Sequence, residues 1–125
     1  MATLAFNITT LKTTGGLQAV EVALNGTLDT DTCIDFKEVL EKILEKGATY
    51  AVLNCEKLKY VTSSGLLALN KHVKAFEDKG GRLVFSNVTK DFRYVLKVSS
   101  FDTVFDLFSD TPEALRAMDA WRGQA

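Results

Sequence analysis

The spacing of apolar and polar positions changes several times along this chain, and each change marks an element. Leu4, Phe6 and Ile8 alternate with polar or small residues, the pattern of a strand with one buried face. Thr13-Thr14-Gly15-Gly16 supplies a turn, and a second alternating run follows at Val20, Val22 and Leu24. Together the two runs predict a β-hairpin. Residues 25–31 are polar, and Asp29, Thr30, Asp31 and Thr32 each offer an oxygen for capping a helix. Phe36, Val39, Leu40, Ile43 and Leu44 then recur at helical spacing, with Gly47 placed to end the helix. Tyr50 to Cys55 is a short, nearly continuous apolar run, which predicts a strand buried on both faces.

Leu66, Leu69, Val73 and Phe76 form a second helical stripe, closed by Asp78-Lys79-Gly80-Gly81. Arg82 to Ser86 reads as another buried strand, Phe92, Val95 and Leu96 as a short helix, and Val104 to Phe108 as a last short strand or turn. Thr111-Pro112-Glu113 opens a C-terminal helix, with the threonine as cap and the proline at the first helical position. The order β-β-α-β-α-β-α-(β)-α calls for an α/β fold. Its mixed sheet has right-handed crossovers between parallel strands, and helices cover at least one face.

Composition narrows the class. With 125 residues, 46% hydrophobic and 25% charged, the chain fits one globular domain spanning 1–125 and is too apolar for disorder. Fifteen basic against sixteen acidic residues leave a net charge of -1. No Lys/Arg cluster stands out, which argues against a nucleic-acid partner. No apolar run approaches the roughly 20 residues that span a bilayer, so no membrane insertion is expected. The start of the chain has no basic segment leading into an apolar one, so the expectation is a cytoplasmic protein without a secretory signal. Cys33 and Cys55 have no CxxC or Cys/His spacing around them and read as reduced, buried side chains.

The informative stretch is Leu58-Lys59-Tyr60-Val61-Thr62-Ser63-Ser64-Gly65-Leu66-Leu67, read as a strand-to-helix loop running into the second core helix. In open α/β sheets such loops meet ligands and partners. A helix cap needs one hydroxyl, and here three stand in a row. With Leu66, Leu69, Val73 and Phe76 facing the core, Ser63, Leu67, Asn70 and Lys74 share another face. Leu67 then points away from the core, one turn from an accessible serine, as a docking anchor. A phosphate on Ser63 would add about -1.5 to -2 charges at the positive end of the helix. The fold tolerates that charge, whereas a partner packed on Leu67 does not, which is the behaviour of a switch.

At this segment the sequence resembles the STAS domain family (sulfate transporter and anti-sigma factor antagonist), and within it the small stand-alone anti-sigma factor antagonists. Thr62-Ser63-Ser64-Gly65-Leu66 is similar to the family's Asp-Ser-Ser-Gly-Leu signature. Leu24-Asn25-Gly26-Thr27-Leu28-Asp29-Thr30, Val52-Leu53-Asn54-Cys55 with Leu58 and Tyr60-Val61, and the stretch from Gly80 to Asn87 resemble its flanking segments in order. The resemblance covers residues 4–118. It implies a four- to five-stranded mixed sheet backed by about four helices; the residues themselves lead to the expectation of no enzymatic activity, metal or cofactor. The resemblance also implies partner switching. Such a protein binds a cytoplasmic anti-sigma factor, often a serine kinase of ATPase fold, and so releases the sigma factor. Phosphorylation ends the binding and a serine phosphatase restores it.

Carried over by position, the phosphoacceptor is Ser63, with Thr62 and Ser64 as alternatives. The partner surface comprises Asp29, Thr30, Thr62, Ser63, Ser64, Gly65, Leu67, Asn70, Lys74 and Asn87, on a monomer or weak dimer. Thr62 departs from the signature's aspartate, and Asn54 from an aspartate common at the end of the central strand. The first departure keeps a second reading open: a non-cycling STAS subunit of a transporter ATPase complex, for example in lipid transport.

Enzymatic readings fare worse. Ser63 and His72, the only histidine, are nine residues apart on one helix, about 180° around its axis, and cannot form a nucleophile–base pair. Asp29, Asp31 and Asp35 could suggest a metal site, but carboxylates at the start of a helix are expected from its dipole. Gly80-Gly81 lacks phosphate-loop spacing.

Overall fold

The computed structural model describes residues 3–123; residues 1, 2, 124 and 125 of the expected 1–125 domain lie outside it. The elements run β1 (Leu4–Lys12), β2 (Gln18–Leu28), α1 (Thr32–Glu45), β3 (Tyr50–Val61), α2 (Ser63–Asp78), β4 (Arg82–Ser86), α3 (Lys90–Val98), a 3-10 turn, β5 (Leu107–Phe108) and α4 (Thr111–Gly123). They form a single mixed sheet in the order β1-β2-β3-β4-β5. β1 pairs antiparallel with β2, and the remaining pairs are parallel. The expected α/β class and hairpin are therefore present.

Alternation along the central strands divides their side chains between two cores. Val22, Leu24, Leu53, Leu83 and Phe85 face α1, α2 and α3, whose Phe36, Leu40, Leu69, Phe76 and Leu96 complete the main core. Val52 and Val84 point the other way, onto Ala114 and Met118 of α4. Both faces of the sheet are thus covered, so β3 and β4 are apolar in both phases. Trp121, whose place the sequence leaves open, packs at 6.0 Å from the Phe108 ring, and the Arg82 guanidinium sits 4.7 Å from its indole centroid.

Backbone chemistry fixes where the helices end. At the end of α1, Gly47 (φ +90°) donates to Leu44 O and Ala48 donates to Ile43 O. These two bonds are a Schellman closure, which requires the left-handed conformation that glycine adopts freely. The polar run before α1 works through Asp29. Its carboxylate accepts from the amides of Asp31 at 3.0 Å and Thr32 at 2.9 Å. The Thr32 amide bond holds the Asp29 carboxyl below its ordinary range.

Four expectations need correction. Leu58–Val61 is not loop but the continuation of β3, which runs seven residues past Asn54, the last of its residues paired with β4 (opposite Ser86). Ile8 is 50% exposed rather than buried, because α1 lies over β2 and leaves the far half of β1 uncovered. Cys33 is only half-buried at the start of α1, while Cys55 is fully enclosed and burial pushes its thiol up to about 12. At α4 the cap is Asp110, which accepts from the Glu113 amide at 2.9 Å. Thr111 turns inward instead, 3.0 Å from Ser86 Oγ, and donates to Glu21 at 2.5 Å.

Candidate functional site

The candidate site is the junction between the overhanging end of β3 and the first turn of α2. Thr62 is the cap of α2: its hydroxyl accepts from the Gly65 amide at 3.2 Å, and its own amide donates to Leu28 O at 3.0 Å. Gly65 is buried because α2 starts directly against the ends of β2 and β3. A Cβ there would lie 2.6 Å from Leu28 O and 2.9 Å from a Val61 methyl. The glycine therefore lets the first turn approach two strand ends at once.

The three hydroxyls have separate surroundings. Thr62 serves the helix end, and Ser64 accepts from the Thr30 hydroxyl at 3.0 Å. Ser63 is exposed, and its hydroxyl makes no side-chain hydrogen bond among the described residues. The first turn of α2 carries no acidic residue, so the positive end of the helix dipole at Ser63 is not offset locally. One turn on, Leu67 is 66% exposed. Lys74 is also exposed, whereas Asn70 is half-buried, with its carbonyl oxygen enclosed and unpartnered among the described residues.

Two further expected contact residues, Asp29 and Asn87, also have structural work. Asp29 holds the entry to α1. Asn87 (φ +53°) lies at the end of β4 and donates to Asn54 Oδ1 at 3.2 Å. No described side-chain contact joins it to Ser63. His72 is buried, with Nδ1 2.7 Å from Ala68 O and its ring edge-on to Phe36. Desolvation lowers its pKa, and it is on the core side of α2, away from Ser63.

Sequence reasoning missed the aromatic flank of this junction. Tyr60, three residues before Ser63, is 63% exposed, and Tyr94 on α3 is 68% exposed. With Leu58, Val61, Asp91 and Val95 they line a shallow cleft of about 310 Å³ between β3 and α3. The available signal was a pair of apolar residues, Tyr94 and Val98, lying one turn apart and off the Phe92–Leu96 stripe.

A mixed sheet in this strand order, with α2 starting at an exposed serine, defines a small α/β module. The STAS domain model matches residues 9–114, and the chain belongs to the STAS domain family. The fold is shared with an anti-sigma factor antagonist from Mycobacterium paratuberculosis, at 16% identity over 92% of this chain and 95% of that one (TM-score 0.74). It is shared also with the anti-sigma factor antagonist SpoIIAA, a Bacillus cell fate determinant, in its unphosphorylated form, at 22% identity over 95% of this chain and 99% of that one (TM-score 0.67). A sulfate transporter family protein from Wolinella succinogenes matches at 18% identity over 88% of this chain and 89% of that one (TM-score 0.72). No curated protein sequence matches significantly.

Proposed function

We propose that this STAS protein is a cytoplasmic anti-sigma factor antagonist that works by partner switching. In its unmodified state it binds an anti-sigma factor that is also a serine kinase of ATPase fold. Phosphorylation of Ser63 ends that binding, and a serine phosphatase resets it. The observation that carries the reading is the division of labour among the hydroxyls. Thr62 is committed to the cap and the exposed Ser64 accepts from Thr30, so of the three only Ser63 is exposed with no side-chain hydrogen bond among the described residues, beside an exposed Leu67.

The chemistry follows from the position. The kinase transfers the γ-phosphoryl group of ATP to Ser63 Oγ, releasing ADP and the hydroxyl proton. The product is a hydrated dianion at a helix N-terminus, where the fold gains favourable electrostatics. An apolar partner surface seated on Leu67 would have to desolvate that dianion, which costs several kcal/mol without a matching cation. Stability and binding therefore respond with opposite sign to one modification.

The test is incubation with the cognate anti-sigma kinase and ATP followed by peptide mass mapping. The expected result is one phosphate on Ser63, lost in Ser63→Ala. Absence of incorporation across cognate kinases would overturn the reading. A second reading, a non-cycling subunit of a transporter ATPase complex, is favoured by the neutral Thr62 cap in place of the signature aspartate. It predicts stable co-purification with the ATPase that is indifferent to Ser63→Asp.

A further inference from the structure

A groove well removed in the fold from the α2 junction has neither Ser63 nor Leu67 in its lining. It encloses about 650 Å³ between the C-terminal half of α1 and the far half of the β1–β2 hairpin, within the roughly 300–1,000 Å³ typical of ligand sites. It exists because α1 covers β2 and stops short of β1. Ile8 and Thr10, opposite Val22 and Val20 in the hairpin ladder, are left facing open space. Ile8, Val20, Val39 and Ile43 form an apolar trough, and Lys42 and Lys46 lie along one wall, one helical turn apart.

The charge of the lining is one-sided. It contains two lysines and no carboxylate, and neither lysine is in an ion pair among the described residues. The last carbonyls of α1 are also occupied, since Lys42 O, Ile43 O and Leu44 O accept from Lys46, Ala48 and Gly47. They do not draw the ammonium groups inward. Uncharged polar side chains are few: Thr10, Gln18 and Thr49. A sugar or nucleobase would leave its hydrogen-bonding groups unmatched here. A saturated chain ending in an anion matches both halves of the lining.

We propose that this groove binds a single-chain fatty carboxylate. Its alkyl chain lies along Ile8, Val20, Val39 and Ile43, and its headgroup meets Lys42 and Lys46. The long lysine stems add apolar wall while their ammonium groups meet the carboxylate at the solvent edge. The groove is at the opposite end of α1 from the Thr30–Ser64 contact, so the proposal stands or falls independently of phosphorylation.

The test is NMR titration of the full chain with monomeric dodecanoate, below its micelle concentration. Saturable shifts confined to Ile8, Val20, Val39, Ile43 and their neighbours are expected, with Ser63 and Leu67 unmoved. Lys42→Gln with Lys46→Gln should weaken binding roughly fivefold or more. Ile8→Gln, at an exposed position, should weaken it too. In the unaltered protein, dodecyltrimethylammonium should bind more weakly than dodecanoate, a comparison that needs no variant to fold. Equal binding of the two headgroups, or unsaturated shifts spread over the surface, would overturn the proposal. So would concentration-dependent shifts of the groove residues without ligand, which would assign it to self-association. Co-sedimentation with anionic vesicles without binding of the monomer would assign it to a bilayer and overturn it equally.

Discussion

The Thr30 hydroxyl donates to Ser64 Oγ across 3.0 Å, fastening the turn before α1 to the first turn of α2. The bond separates two adjacent serines that the sequence leaves equivalent. Ser64 is a structural acceptor and Ser63 is not. Ser64→Ala should therefore keep kinase labelling at Ser63, measured by phosphopeptide mapping, and lower stability by no more than about 1 kcal/mol. Labelling that moves to Ser64 in Ser63→Ala, at an undiminished rate, would contradict this assignment.

Ser63→Asp places a negative charge at the first position of α2, whose first turn is free of acidic residues. Thermal unfolding should show stability unchanged or raised by about 0.3–1 kcal/mol. Binding to the anti-sigma partner, read by calorimetry, should weaken about tenfold or more, while Ser63→Ala binds like the parent. Indistinguishable affinities of the two variants would refute the switch.

Leu67 is too exposed to matter to the core. Leu67→Ala should leave the melting temperature within about 2 °C, as surface changes of up to about 0.5 kcal/mol do. It should reduce partner affinity by more than fivefold, the effect of losing an interface anchor worth about 1 kcal/mol or more. Tyr94→Ala provides the same comparison on the α3 side of the junction. A loss of stability instead of binding would place Leu67 in the core.

Gly65 has no room for a methyl group, since a Cβ would approach Leu28 O to 2.6 Å. Gly65→Ala must push α2 away from two strand ends. Chemical denaturation should report a loss of about 1–3 kcal/mol, the usual cost of overpacking. A neutral result would show that α2 can shift freely, and that the junction is less rigid than its contacts indicate.

His72 is held neutral by burial, with its folded pKa below the ordinary 6.5. As pH falls below about 6.5, the unfolded chain takes up a proton that the folded chain refuses. His72 should therefore erode stability on acidification from that value down to its folded pKa, and contribute no pH dependence above it. Melting curves between pH 7.5 and about 5 should flatten in His72→Gln relative to the parent. Parallel curves would show that the imidazole titrates normally.

The sheet, the two main helices and their stops were legible because each rests on a local rule: alternation, a 3.6-residue stripe, a glycine at a helix end. Ser63 and Leu67 came out of helix phase in the same way. What escaped was set by distant contacts. Glu56, Lys57 and Lys59 interrupt the apolar run of β3, and register shifts near Asn25 and Gly26 break its ladder with β2, so its last residues looked like loop. Thr111 had the local features of a cap, yet Glu21 and Ser86, far away in the chain, draw its hydroxyl inward. Tyr60 and Tyr94 line one cleft only because α3 folds back beside the overhang, a proximity no local pattern encodes.

That overhang has a mechanical corollary. From Glu56 to Val61, β3 has a strand neighbour on one side only, so its other margin is a cantilever propped by α3. A load applied at Ser63 is carried by this beam before it reaches the doubly paired stretch from Tyr50 to Asn54. Deuterium uptake at the amides of Lys59 and Tyr60 is thus a natural gauge of docking, responsive while the middle of the sheet stays silent.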